Sequence, residues 1–183
     1  SAIYFYSKYK ESVISMALPI FLCDDDSVLV QYYKSVIENW IMINDYDMEL
    51  IFATTDPDDI FLYLKKNSIT NCLFFLDIDL GTHLDGIDIA QQIRRDNEFA
   101  QIVFITSHQE LAIKTLQRQI SPLNYIVKDS QTEKNQIQKV LNSCHQQTFI
   151  DRLPNQRHLS FLMGSRSIRV DISTIYFIET SPT

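Results

Sequence analysis

The 183-residue sequence predicts an α/β protein built on a doubly wound, five-stranded parallel sheet, and three observations carry that prediction. Short apolar runs recur at Leu18–Cys23, Met48–Thr54, Leu73–Leu80, Ile102–Ile105 and Tyr125–Val127, with little of the polar alternation of a half-exposed strand. Such runs suit parallel strands covered on both faces, because neither face meets water. Between them lie segments with apolar residues at helical spacing, so strands and helices alternate along the chain. Finally, polar side chains stand where the runs end, and the carboxyl edge of a parallel sheet is where ligands settle.

Residues 1–17 are rich in Tyr and Ser, show no clear periodicity, and read either as an N-terminal extension of uncertain status or as a misassigned start, with Met16 the alternative start. Asp26 or Ser27 can cap the first helix, in which Leu29, Tyr33, Val36, Ile37, Trp40 and Ile41 form a stripe that reads as core. After the second strand, Thr55 or Asp56 caps a helix with Pro57 in its first turn, where the missing N–H costs nothing. Ile60, Phe61 and Leu64 face inward, and Lys65 and Lys66 suit the negative C-terminal end. The third strand, Leu73 to Leu80, leads through Gly81–Gly86 into a helix carrying Ile87, Ile89, Ala90 and Ile93. The fourth ends at Thr106-Ser107 and precedes a short helix from about Gln109 to Gln117. Pro122 breaks the chain before the fifth strand, which ends at Lys128-Asp129, and the last helix runs from about Thr132 to Phe149 with Ile137, Val140, Leu141 and Cys144 on one face. Five strands alternating with five helices predict a doubly wound parallel sheet, read in the flavodoxin-like strand order 2-1-3-4-5.

Charge marks a boundary near residue 150. The first 150 residues hold 12 Lys+Arg against 20 Asp+Glu, and the remainder 4 against 3, so the acidic body repels nucleic acid. Cys23, Cys72 and Cys144 are odd in number and widely spaced, which supports neither a disulfide framework nor a zinc site and fits reduced thiols in a cytosolic protein. His83, His108, His145 and His158 lack ligand spacing and read as surface residues. Lys8 and Lys10 before an apolar run ending at Cys23 resemble a secretion signal, but Pro19 and Glu11 interrupt that pattern and the run serves as the first strand. No run approaches the roughly 20 apolar residues of a membrane-spanning helix.

In the predicted order the strand ends converge. Asp24 and Asp25 come from the first strand, Asp77 and Asp79 from the third, Thr106 from the fourth and Lys128 from the fifth. Carboxylates this close repel one another unless a cation lies among them, and Mg²⁺ suits a few carboxylate and carbonyl oxygens while keeping waters to exchange. With Asp24 and Asp25 on the metal, Asp77 keeps a free oxygen as nucleophile and is read as a phosphoacceptor; the backbone carbonyl of Asp79 is a further ligand. Lys128 and Thr106 supply a cation and a hydroxyl to the oxygens of a transferring phosphoryl group.

These residues resemble the receiver domain of two-component response regulators over about residues 18–150. The matching features are the pair Asp24-Asp25, the phosphoacceptor Asp77, Asp85-Gly86 opening the third helix, Thr106, Lys128, and Tyr125 at the aromatic switch position. Two prolines common in the family are absent: Gly81 stands in the loop after the phosphoacceptor, and Asp129 follows the lysine. Phe75–Ile78 with Leu80, Thr106-Ser107-His108 and Lys128-Asp129 are similar to strings in the Agr and Com subfamily of peptide-pheromone regulators. That resemblance implies a linker at 151–156 and the beginning of a LytTR DNA-binding domain at 157–183: a hairpin around Gly164-Ser165, then Ile172–Glu179. Together these form a short, incomplete β segment.

The resemblance implies a cytoplasmic signalling protein rather than an enzyme, limited to self-phosphotransfer and autodephosphorylation. A sensor histidine kinase phosphorylates Asp77 with Mg²⁺, Thr106 moves toward the new charge, Tyr125 turns inward, and the face of the fourth helix, fifth strand and fifth helix favours a homodimer. Transcription is then controlled through promoter DNA in the full-length protein, in quorum-sensing, bacteriocin or competence regulation. No DNA contact can be assigned within this chain, and Arg152, Arg157, Arg166 and Arg169 read as solvated. A second reading, a haloacid-dehalogenase-like phosphatase using Asp77 and Asp79, conflicts with acids that precede the motif and with the Gln- and Asn-rich helix after Lys128. A third is a receiver acting only through protein contacts.

Overall fold

The computed structural model describes residues 17–67, 69, 71–81, 85–97, 99–118, 120–129, 132–152, 158–163 and 166–171. Expectations for Lys8, Lys10, His83, Arg157, the Gly164-Ser165 turn and Ile172–Glu179 lie outside them. Five strands, β1 (Leu18–Cys23), β2 (Met48–Thr54), β3 (Leu73–Leu76), β4 (Gln101–Thr106) and β5 (Asn124–Val127), pair in parallel in the order β2-β1-β3-β4-β5. The alternating helices are α1 (Ser27–Asn44), α2 (Pro57–Lys66), α3 (Gly86–Asp96), α4 (Ala112–Gln117, entered through a 3₁₀ turn at Gln109–Leu111) and α5 (Glu133–Arg152). This is the doubly wound fold and strand order that the sequence predicts.

Caps explain where the helices start. The Asp26 carboxylate accepts hydrogen bonds from the backbone N–H groups of Val28 and Leu29 (2.8 and 3.4 Å), and that of Asp56 from Asp58 (2.9 Å), with Pro57 at the first helical position. Asp85 and Asp88 form a reciprocal capping box at α3, which fixes the helix entry close to the end of β3. The stripe on α1 is partly as expected: Tyr33, Val36 and Ile37 are buried together with Val30, whereas Leu29, Trp40 and Ile41 are half-buried.

The core runs along the middle of the sheet. Phe21 stacks on Phe74 at 4.8 Å and on Phe52 at 6.4 Å, with Tyr63 edge-on at 5.7 Å, so one ring group ties β1, β2, β3 and α2 together. Phe21 and Phe74 are wholly buried, and each such side chain is worth about 1.5–3 kcal/mol of apolar transfer. The third strand is shorter than its apolar run: it ends at Leu76, because the Asp77 carboxylate takes the Ile78 backbone N–H at 2.6 Å and turns the chain out of the ladder. Ile78 and Leu80 stay buried in the core as loop residues.

The described residues divide into two compact units, residues 1–141 and 142–183. The second contains the antiparallel hairpin β6 (His158–Met163) and β7 (Arg166–Asp171), close to the expected span, with Phe161 paired to Ile168. Among the described residues, no helix is long and apolar enough to cross a membrane.

Candidate functional site

The parallel registers bring the carboxyl ends of β1, β3, β4 and β5 side by side. Cys23 pairs with Leu76, Leu76 with Phe104, and Thr106 with Val127, so the residues just beyond share one mouth. The Asp77 backbone N–H still bonds across to the Cys23 carbonyl (2.9 Å), and Lys128 donates its own to the Thr106 carbonyl (3.0 Å). Asp24 and Asp77 are buried, at 1% and 4% exposure. Between them lies the Lys128 ammonium, 2.8 Å from Asp24 Oδ2 and 2.6 Å from Asp77 Oδ2.

Each acid is held by more than this cation. Asp24 Oδ1 accepts from the Asp26 N–H at 3.1 Å, and Asp77 Oδ1 accepts from Ile78 and Asp79 at 2.6 and 3.3 Å. Both oxygens of Asp77 therefore have partners; the expected free oxygen is in contact with Lys128. Burial raises the Asp24 carboxyl above its ordinary range, helped by the nearby Asp77 charge and opposed by Lys128 and the Asp26 N–H. For Lys128 burial pulls downward, but its bonds to Asp24 and Asp77 outweigh it and the ammonium is held above its usual value.

Asp25 is exposed and completes an acidic cluster: one oxygen from each of Asp24, Asp25 and Asp77 lies within 4.8 Å of the others. An all-oxygen, multiply charged donor set with an open side fits a hard divalent cation. Asp79 is exposed, its side chain accepting weakly from Gly81 N–H (3.4 Å) and standing 3.6 Å from His108 Nε2. Thr106 is wholly buried, its hydroxyl accepting from the His108 N–H at 3.1 Å. Tyr125 already has its hydroxyl buried, beside Thr115, with its ring 5.2 Å from that of Phe104. Burial pushes that hydroxyl up to about 12.

Three features escape the sequence reading. His108 is more than a solvated residue: its ring also bonds Glu110 at 2.9 Å, the main reason its pKa is raised. Gly86 is a point of close backbone approach to Asp77. Glu133 is buried against Tyr33; an acid five residues after the lysine, at the start of a helix, was the only hint. The buried thiols carry no chemistry here, since burial raises Cys23, Cys72 and Cys144 each to about 12.

A family model described as the response regulator receiver domain matches residues 20–142. Accessory gene regulator protein A of Staphylococcus epidermidis is 33% identical over 166 residues, covering 90% of this chain and 69% of that protein. The Staphylococcus aureus protein of that name is 31% identical over the same shares. In structure, the response regulatory domain of protein mrkE from Klebsiella pneumoniae aligns with a TM-score of 0.60 at 24% identity, over 73% of this chain and 99% of that one.

Proposed function

This chain belongs to the response regulator receiver domain family, and from that premise we propose that Asp77 accepts a phosphoryl group from a phosphohistidine of a sensor kinase. The observation that carries this is the Lys128 ammonium, seated between Asp24 and Asp77 at the meeting point of the strand ends. An Asp77 carboxylate oxygen attacks phosphorus; the new O–P bond forms as the P–N bond of the donor breaks, and the electron pair leaves on the imidazole nitrogen. Lys128 follows the charge from the carboxylate to the phosphoryl oxygens, and the Thr106 hydroxyl supplies a second donor to them. Asp24, Asp25 and Asp77, with the Asp79 carbonyl, would hold Mg²⁺, which would supply positive charge to offset that of the transferring group.

The domain organisation we propose is a receiver at 18–150 and the first part of a LytTR-type DNA-binding domain at 157–183, with residues 1–17 an extension of uncertain status and 151–156 a linker into which α5 runs as far as Arg152. The antiparallel β6–β7 hairpin and the likeness to accessory gene regulator protein A support that division. In the full-length protein, in the cytoplasm, phosphorylation favours a homodimer that acts on promoter DNA, with Thr106 and Tyr125 relaying the change.

Incubation with phosphoramidate and Mg²⁺, followed by intact-mass measurement, tests the assignment. The wild type gains about 80 Da, one phosphoryl group, and Asp77→Ala gains nothing. A wild type without the adduct, or an Asp77→Ala protein that keeps it, overturns the reading.

A further inference from the structure

The position of Lys128 depends on what holds the chain after it. Its backbone N–H makes the bond to Thr106 that closes β5, and from there only residues 129–132 separate it from α5. The residue after Lys128 is Asp129, and its side chain makes a turn. The Asp129 carboxylate accepts from the Thr132 N–H at 2.7 Å and from its hydroxyl at 2.9 and 3.0 Å, and the Thr132 hydroxyl accepts from Gln136 Nε2 at 2.9 Å.

That turn fixes the loop to the helix but not the helix to the site. The second attachment is Glu133, the first residue of α5, whose carboxylate is buried at 7% exposure and accepts from the Tyr33 hydroxyl at 2.9 Å. Tyr33 is wholly buried on α1, the helix that begins just after Asp24 and Asp25. Its hydroxyl also senses the acids: burial and the Glu133 bond dominate its upward-shifted pKa, and the charges of Asp24 and Asp77 push the same way. A carboxylate taken out of water demands a donor. The sequence places that demand one helical residue after the loop that carries Lys128.

We propose that Tyr33 and Glu133 are a positioning pair for Lys128: their bond ties the first turn of α5 to α1, and the Asp129–Thr132 bonds transmit that fixed point to the lysine. The inference rests on the reading of Asp77 as phosphoacceptor. Neither residue touches the reacting atoms.

The test compares Tyr33→Phe, which removes only the donor, with Glu133→Gln, which keeps an acceptor for it. Two readouts are taken on ¹⁵N-labelled full chain: the ¹⁵N–¹H signal of the Lys128 side-chain ammonium, assigned by its loss in Lys128→Arg, and the rate of mass gain from phosphoramidate and Mg²⁺. Tyr33→Phe should shift or broaden the ammonium signal and slow phosphorylation about tenfold, the scale of a small misplacement of a reacting group. Glu133→Gln should keep the signal and stay within about twofold of wild type, since its amide oxygen still accepts. Should Tyr33→Phe fail to fold, Glu133→Ala must give the same two changes. An unchanged Lys128 signal in a folded Tyr33→Phe or Glu133→Ala protein, or a wild-type rate in either, overturns the proposal. A wild type that takes up no phosphoryl group defeats the assignment of Asp77 instead, while the ammonium signal still reads the clamp.

Discussion

Gly86→Ala should lose at least about 3 kcal/mol of stability, at the severe end for a single substitution, and any folded remainder should phosphorylate more than about tenfold more slowly. A Cβ on residue 86 would stand 1.8 Å from the Asp77 carbonyl oxygen, 2.8 Å from its carbon and 2.9 Å from Ile78 Cα. All three are backbone atoms, so no side chain can rotate away. The Gly86 N–H also donates to the Ile78 carbonyl at 2.8 Å, so α3 cannot back off without breaking the bond that seats it. Either the helix leaves or the chain at Asp77 moves, and both damage the site. Urea denaturation with the mass assay checks this; a wild-type midpoint and rate would mean that the contact is far softer than its geometry implies.

Lys128→Ala should slow phosphoryl uptake by about 100-fold, the scale of losing one charged group aimed at a transition state, and destabilise the Mg²⁺-free protein by about 3 kcal/mol at pH 8. The stability loss should depend on pH, with a definite sign. Asp24 has a carboxyl pKa raised by burial, with Lys128 among the influences that oppose the rise. Removing the lysine lifts it further. Between the ordinary carboxylate value and the raised one, the folded protein binds more protons than the unfolded chain, so stability falls as pH rises through that window. The window reaches higher in the variant; its deficit relative to wild type should therefore shrink as pH falls. If the acidic cluster holds Mg²⁺ as proposed, saturating Mg²⁺ should recover more stability in the variant than in the wild type, because the Lys128 ammonium no longer competes for Asp24 and Asp77. A deficit constant from pH 5 to 8 would show that the lysine does not govern the protonation of Asp24.

Much of the fold and the site was legible because both depend on local patterns. Leu73–Leu76 could only be a strand buried on both faces, and Ile87, Ile89, Ala90 and Ile93 could only be one helix face. Asp24, Asp77, Thr106 and Lys128 were legible because each directly follows or ends an apolar strand, with Asp25 one residue further on, and topology brings such positions together. What escaped depends on distances between elements. Ile78 and Leu80 continue an apolar run, so only the side-chain turn of Asp77 shows that the ladder has stopped. Nothing near Tyr33 distinguishes a core aromatic from one whose hydroxyl meets an acid 100 residues later. His108 looked solvated because its partners, Asp79 in the loop after β3 and Glu110 in the 3₁₀ turn before α4, show no ligand spacing in the sequence.

The bond from the Asp77 N–H to the Cys23 carbonyl divides the mouth by tempo. Through it Asp77 is tied to the last residue of β1, one position past the end of β3, and core strands are the parts of a domain that open least often. Asp25, Asp79 and His108 are carried by turns with exposed side chains and can rearrange in nanoseconds to microseconds. Asp77 thus keeps slow time while the groups around it keep fast time. On the proposed reading, a phosphoryl donor would meet a held carboxylate within a rim that can reshape to it.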